Sequence, residues 1–264
     1  VVTSIIGSDL QITFFETLDS TNEEARRRVL AGATGPEWIV ARTQTAGRGR
    51  RGRIWTSDAG NLYATGLYRL DIDLARAAQL SFAAALAVGD VCVSVIHPEK
   101  IRFKWPNDVL INRRKVCGIL LQSGQHVRGG LWLLIGVGVN LAHHPERVEW
   151  PATNLAREGG VLNVEEAVVQ LANRFDHWLK RWTESGFAPI REAWLSHVHG
   201  LGEHCVIRLD NTVLKGIFTD LSVDGSLRLD LKDGSRRLIS AGDVFFPSAP
   251  RAQLPSEVRY ASRH

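Results

Sequence analysis

Between Arg42 and Arg53 the chain places five arginines and three glycines, most of them in the string Gln44 to Trp55, QTAGRGRRGRIW. A packed core cannot take up that much positive charge, because each buried guanidinium needs a partner of its own. The stretch is therefore constrained to a surface loop. It follows directly on the apolar run Trp38-Ile39-Val40-Ala41, which reads as a strand. A strand that ends in a glycine-pinned, arginine-rich loop points to an anion site. Glycine admits positive φ and close approach of backbone to ligand, and arginine offers planar, bidentate donors to phosphate or carboxylate. From this stretch alone, a solvated basic loop without a ligand is the competing reading. Gly47-x-Gly49-x-x-Gly52 also matches the dinucleotide fingerprint, but that fingerprint needs its glycine turn to open a helix. Arg53 to Asn61 has no helical periodicity and Asp58-Ala59-Gly60-Asn61 reads as a turn, so a Rossmann site is rejected. The Walker pattern is absent as well.

The remainder has to supply the scaffold. With 264 residues, 44% hydrophobic and 23% charged, there is material for one large domain or a large one with a small companion. A net charge of +4 is too small to mark the whole protein as a nucleic-acid binder; the charge is concentrated in the arginine loop. No uninterrupted apolar run suggests a membrane span, and Val1 to Gln11 lacks a signal-peptide pattern. Three widely spaced cysteines, an odd number, argue against a disulfide framework and for a reducing, cytoplasmic setting.

Ile12-Thr13-Phe14-Phe15 reads as a short strand. Ser or Thr ahead of Glu23-Glu24 is an N-cap signature for a helix running to Ala31-Gly32. Trp38 to Arg42 enters the arginine loop and Leu62 to Leu70 returns from it. Leu74 to Val95 reads as the longest apolar helix, with Leu80, Ala83, Ala84, Ala87, Val88 and Val91 on one face. Ile101 to Lys104 and Val109 to Ile111 read as a strand broken by Pro106, and Asn112 to Lys115 as a hairpin turn. Val116 to Gln122 and Leu131 to Leu141 are further strands, and helices follow at 163–182 and about 187–199. After Gly200 come short alternating runs separated by Asp210-Asn211, Asp224-Gly225 and Asp233-Gly234, the pattern of a small β-barrel. The expected organisation is an α/β part over 1–199, a barrel over 200–247 and a loosely ordered polar tail over 248–264.

Four segments, in this order, carry a family resemblance: Asp19-Ser20-Thr21-Asn22; Gln44 to Trp55; Lys104-Trp105-Pro106-Asn107-Asp108 with Arg114-Lys115-Val116-Cys117-Gly118-Ile119-Leu120; and Gly136-Val137-Gly138-Val139-Asn140-Leu141. Together with the strand order and the C-terminal barrel, they resemble the biotin protein ligases (biotin–[acetyl-CoA-carboxylase] ligases) over roughly 10–247. The resemblance implies an α+β fold, with a mixed-sheet catalytic domain of the biotin/lipoate ligase type and a small SH3-like β-barrel. It implies an enzyme that uses ATP and Mg²⁺ to activate biotin as biotinyl-5′-AMP. The biotin then passes to a lysine of a biotin carboxyl carrier protein or domain.

Joining a carboxylate to an α-phosphate brings negative charges together, so positioning and cationic stabilisation should dominate catalysis. By resemblance Arg48, Arg50, Arg53 and Lys115 form the catalytic set, and the loop orders over the intermediate, shielding a hydrolysable anhydride. Ser20, Thr21, Asn22 and Gln44 line the biotin pocket, with Gly47, Arg48, Gly49, Arg50, Lys115 and Gly118. Hydroxyl and amide groups suit a ureido ring with N–H donors and a carbonyl acceptor. The nucleotide falls to Arg50, Arg53, Trp55, Lys104, Trp105, Asn107, Asp108 and Asn140, and Asp108 is the candidate metal ligand. Each has a plainer alternative: Ser20 to Asn22 as a helix cap, Lys115 as a hairpin lysine, Trp105 as core, Asn140 as a strand end.

His197, His199, His204 and Cys205 match no zinc spacing, and the histidines read as surface groups at a junction. Cys117 reads as a small buried side chain, and Trp178, Trp182 and Trp194 as core. Only about ten residues precede the first catalytic strand, which suggests the short form without a DNA-binding module. A homodimer and a monomer both stay open. Two rivals remain: a lipoate–protein ligase on a similar fold, and a basic nucleic-acid-binding protein.

Overall fold

The computed structural model describes residues 3–6, 11–146 and 148–247; the predicted polar tail over 248–264 lies outside the described residues. Eight strands form a mixed sheet: β1 (Thr3–Ile6), β2 (Gln11–Leu18), β3 (Glu37–Gln44), β4 (Leu62–Leu70), β5 (Ile101–Lys104), β6 (Asp108–Ile111), β7 (Arg114–Gln125) and β8 (Leu131–Val139). Their order is β1-β2-β3-β4-β8-β7-β6-β5; β2 and β3 run parallel and every other pair is antiparallel. Five helices follow the chain as α1 (Thr21–Leu30), α2 (Leu74–Ala77), α3 (Leu80–Val93), α4 (Val164–Ser185) and α5 (Ala188–Leu195).

Side chains alternate across a strand, and both faces of β3 and β4 are covered. Ile39 and Leu67 pack under α1 against Ala25 and Val29, while Trp38, Val40 and Ala64 join the larger core beneath α3, α4 and α5. The predicted helix over Leu74 to Val95 divides into α2 and α3. α3 shows no single apolar face, because it lies between the sheet and α4 and buries residues all round, from Leu80 to Cys92. By length and composition the 20-residue stretch Leu74–Val93 would suffice to cross a membrane, contrary to the sequence reading, yet 72% of its apolar window is buried inside the protein. It is a core helix.

The strand expected to be broken at Pro106 is a hairpin. β5 and β6 are antiparallel, with Lys104 opposite Asp108, and Trp105-Pro106-Asn107 is the turn, carrying a cis Trp105–Pro106 bond. Asn112 and Arg113 turn β6 into β7 with positive φ (50° and 63°). The C-terminal strands β9 (His204–Arg208), β10 (Val213–Leu221), β11 (Leu227–Leu231), β12 (Arg236–Ile239) and β13 (Asp243–Phe245) make a five-stranded antiparallel sheet ordered β12-β11-β10-β9-β13. β10 runs unbroken from Val213 to Leu221 through Gly216. This module is seated on the larger core. Trp105 Nε1 donates to Gly225 O at 3.1 Å and Arg191 Nε to Leu221 O at 2.8 Å.

Because of the strand directions, the end of β3, the starts of β4 and β7 and the end of β8 fall at one end of the sheet. α1 starts there too, immediately after β2. The four sequence motifs meet at that end.

Candidate active site

The motifs surround a cavity of about 550 Å³. Its neutral wall begins at α1. Ser20 occupies the N-cap position, but its side chain makes no capping bond, so that part of the helix-cap expectation is not realised. Gln44, the last residue of β3, accepts from Thr21 N at 2.8 Å through Oε1 and donates from Nε2 to Ser57 Oγ at 2.8 Å. Ser57 Oγ in turn donates to Trp55 O at 2.9 Å. Asn22 Nδ2 donates to Gln122 Oε1 at 3.0 Å. Thr65, fully buried in β4, places its hydroxyl 2.8 Å from Thr21 Oγ1 and 2.7 Å from Asn22 Oδ1.

The floor is made of glycine. Gly118 on β7 faces Gly138 on β8. A Cβ at either would lie 2.9 or 2.6 Å from the Trp55 ring, so two hydrogens are what let the indole lie flat there. Among the described residues the buried Trp55 Nε1 has no hydrogen-bond partner.

The charged rim comes from three segments. The arginine loop is a small hairpin, bridged at Arg48–Ile54, with Gly49 N donating to Arg53 O at 2.7 Å. β4 follows it, and apart from a single 3₁₀ turn at Arg50–Gly52 no helix opens there, which agrees with rejecting the dinucleotide fingerprint. Each arginine on the loop is held. Arg48 pairs with Glu23 at 3.2 Å, and Arg50 Nη1 donates to Asn107 Oδ1 at 3.1 Å. Arg51 pairs with Asp210 at 3.0 Å and Asp243 at 3.3 Å, and Arg53 with Asp243 at 2.8 Å. Burial raises the Asp243 carboxyl, but the Arg53 hydrogen bond and the charges of Arg53, Arg51 and Arg50 outweigh it, so the net shift is downward. Burial pushes the Arg50 guanidinium below its ordinary value.

Lys115 lies in β7, not on the turn, and reaches Asp108 at 2.7 Å. Lys104 stands 4.0 Å from the same carboxylate and 4.5 Å above the Trp150 ring. Burial pushes Lys104 down to about 8, against the pull of Asp108. The segment bearing Trp150 is tied to β7 by Lys115 N donating to Pro151 O at 2.7 Å and Thr153 N to Lys115 O at 2.9 Å.

Of the expected site residues, Ser20, Thr21, Asn22, Gln44, Arg48, Gly49, Arg50, Arg53, Trp55, Lys104, Asn107, Asp108, Lys115, Gly118 and Asn140 all line the cavity. Two do not. Trp105 is buried with its indole N–H on the C-terminal module, the plainer of its two readings. Gly47 is packed beneath the loop, where a Cβ would meet Trp55 O at 2.4 Å. Tyr63, Glu149, Trp150, Asp243 and Phe245 also line the cavity and were missed. An aromatic in Glu149-Trp150-Pro151 was a signal for the first part; nothing in the sequence ties Asp243 or Phe245 to a loop some 190 residues away. His197 and His204 are exposed, but His199 is not a surface group. It is buried between Trp150 and Phe246, and burial pushes it down to about 4. Cys117 is buried and its thiol is raised by burial, in keeping with an inert side chain.

A cavity with a neutral hydrogen-bonding end and a cationic rim suits a ligand that joins a polar ring to an anionic group. Residues 14–140 match the biotin/lipoate A/B protein ligase family and residues 200–246 the biotin protein ligase C-terminal domain. The chain is 40% identical over 235 residues to the biotin–[acetyl-CoA-carboxylase] ligase of Paracoccus denitrificans, covering 86% of this chain and 97% of that one. This chain belongs to the biotin protein ligase family. The bifunctional ligase/repressor BirA of Bacillus subtilis is 31% identical over 249 residues, 90% of this chain and 74% of that protein. Among solved structures, the biotin protein ligase of Aquifex aeolicus in complex with biotin and ATP superposes with a TM-score of 0.74 at 26% identity, covering 90% and 98% of the two chains. The ligase fold therefore accounts for the mixed sheet and the C-terminal module together.

Proposed function

We infer that this chain is a biotin–[acetyl-CoA-carboxylase] ligase. It activates biotin with ATP as biotinyl-5′-AMP and passes the biotin to a lysine of the biotin carboxyl carrier domain. The observation that carries this reading is the single cavity in which the Gln44–Thr21–Asn22 network and the cations of Arg50, Lys104 and Lys115 face one space. The neutral end suits the ureido ring, and the rim suits the carboxylate and phosphates. In the first step the biotin carboxylate oxygen attacks the α-phosphorus and pyrophosphate leaves. In the second the carrier lysine amine attacks the acyl carbon and AMP leaves. Lys115 and Arg50 would lower the repulsion between carboxylate and phosphate, and Lys104 would hold phosphate oxygens from a dry position. Mg²⁺ would neutralise phosphate charge as it enters with ATP. No group of three or more acidic, His or Cys ligands exists among the described residues. That fits an ion that keeps its waters and binds through phosphates plus at most a carboxylate, for which Asp108 is the candidate.

A cytoplasmic location, the absence of DNA contacts and a monomeric or dimeric state belong to the same proposal. So does the division of the chain near residue 199. The test is pyrophosphate release from ATP·Mg²⁺ and biotin with no carrier present, followed by biotin appearing on added carrier domain. Release driven by lipoate and not by biotin would overturn the substrate assignment.

A further inference from the structure

At Lys115 the sheet is incomplete. β8 stops at Val139, opposite Cys117, so the first residues of β7 have no strand of the sheet on that side. The pairing on the other side is irregular as well. Val109 pairs with Cys117 and Leu110 with Lys115, which leaves Val116 as a bulge. A bulge re-aims the side chains beside it. Lysine carries its charge on a flexible four-carbon stem, so where the ammonium can reach depends on how firmly its backbone is rooted.

Pro151, Ala152 and Thr153 fill the gap, with a parallel bridge at Lys115–Ala152. Thr153 is the hub of this patch. It has no exposed surface, and its three polar groups are all engaged. Its N–H donates to Lys115 O at 2.9 Å, its carbonyl accepts from Asn140 Nδ2 at 3.0 Å, and its hydroxyl donates to Glu158 Oε1 at 2.6 Å. Glu158 Oε2 accepts from Asn112 Nδ2 at 2.6 Å, in the turn just ahead of Lys115. The half-buried Glu158 carboxylate thus fastens the turn that leads into β7 to the segment that covers its open side. Hydrogen bonds to an ionised acceptor are roughly twice as strong as neutral ones. Lys115, Asn140 and Ala152 line the cavity, whereas Asn112, Thr153 and Glu158 do not.

We propose that Glu158 is a positioning residue for adenylate formation: through the Thr153 hydroxyl and the Asn112 amide it roots Lys115 and fixes the Asn140 amide at the cavity wall. The inference rests on the reading of Lys115 and Asn140 as groups that meet the reacting carboxylate and the nucleotide. Misplacing such a group by about 1 Å costs up to ~100-fold in rate. The experiment compares Glu158→Ala, Glu158→Gln and Thr153→Val in the full chain. Pyrophosphate release at saturating biotin and ATP·Mg²⁺ should slow roughly tenfold in Glu158→Ala and Thr153→Val, with biotin affinity held within about threefold. A glutamine can accept from Asn112 and donate to the Thr153 hydroxyl, so Glu158→Gln should keep at least about half the wild-type rate. In a chain already carrying Lys115→Ala and Asn140→Ala, adding Glu158→Ala should cost less than about twofold, because the residues it positions are gone. Amide hydrogen exchange followed by NMR reads the same clamp with no ligand present. The Lys115 and Thr153 N–H groups should exchange at least roughly tenfold faster in Glu158→Ala and at the wild-type rate in Glu158→Gln. Wild-type exchange at Lys115 in Glu158→Ala overturns the proposal. So does an undiminished loss of rate in the Lys115→Ala, Asn140→Ala background, which would mark a general weakening of the fold. If the wild type releases no pyrophosphate with biotin, the functional reading fails, and the exchange rates alone decide whether Glu158 holds Lys115.

Discussion

The two ends of the cavity are stabilised in opposite ways. At the neutral end, Thr21 and Asn22 of α1 and Gln44 and Thr65 of the sheet satisfy one another and Gln122 of β7, with no charge involved. At the cationic end, Arg48, Arg51, Arg53 and Lys115 are paired with Glu23, Asp243, Asp210 and Asp108, acids that belong to the protein. A neutral ring can enter the first without breaking any ion pair. Apart from Arg50, whose side-chain partner is the neutral Asn107, phosphates enter the second by displacing or sharing carboxylates, since opposite charges at such distances hold each other and like charges repel. The neutral end is therefore preorganised, and the rim is poised for exchange.

The largest effect should follow from removing a cation that, among the described residues, forms no direct ion pair. Arg50 donates to the neutral Asn107, so Arg50→Ala takes away a charge directed at the reacting groups. Pyrophosphate release should fall roughly 100- to 1000-fold, with biotin affinity changed far less. The anhydride should also escape into solution, seen as free biotinyl-5′-AMP in a quench-flow assay. An equal loss in biotin affinity would erase the contrast between the ends.

Gln44→Ala tests the other end. It deletes a neutral acceptor and leaves the Thr21 N–H unpaired, so biotin affinity should drop about tenfold. Nucleotide affinity in the same titration should hold. Loss of ATP binding instead would mean the ends have been assigned the wrong way round.

A smaller effect concerns Lys104, pushed down to about 8 by burial. Its charge is present below that pH and lost above it, so nucleotide affinity should decline severalfold as pH rises through 8. Biotin affinity should stay level, and Lys104→Met should abolish the inflection. The linkage sign is opposite for stability. Between about 8 and the unfolded lysine value near 10.4 the unfolded chain binds more protons, so this residue's contribution to folding stability rises with pH.

The smallest expected change is in Asp243→Asn, which releases Arg53 from the C-terminal module and leaves Arg51 held there by Asp210 alone. Partly exposed pairs of this kind contribute roughly 0.2–1 kcal/mol each. Trypsin should cut the loop two- to fivefold faster in the ligand-free variant, and biotin with ATP should restore protection. Cutting at the wild-type rate would show that the loop's own hairpin bonds suffice.

Legibility in the sequence differed between the same two regions. Arginine and glycine in the loop, and the strings around Lys115 and Asn140, announced themselves because each motif is contiguous and its residue types are unusual together. Thr65 gave no such signal, since a threonine in Leu62 to Leu70 reads as an ordinary β-branched strand residue. Its bonds to Thr21 and Asn22 exist only because β4 and β8 bring it beneath α1. Trp105 erred the other way: its place in a motif suggested the cavity, while the tight β5–β6 turn directs the indole to Gly225. His199 was read from its neighbours in sequence as exposed, and packing of Phe246 and Trp150 buried it.

By itself, the sequence determined the family, the order of most strands and helices, and the chemical character of the site. Those depend on periodicity and on residue types adjacent in the chain. Tertiary structure alone decided which acids hold the arginines, which strand threonine meets Thr21 and Asn22, and that a distant module contributes Asp243 to the rim. These are contacts between groups far apart in sequence, and a hydrogen bond or ion pair acts over a few ångströms regardless of how much chain separates its partners.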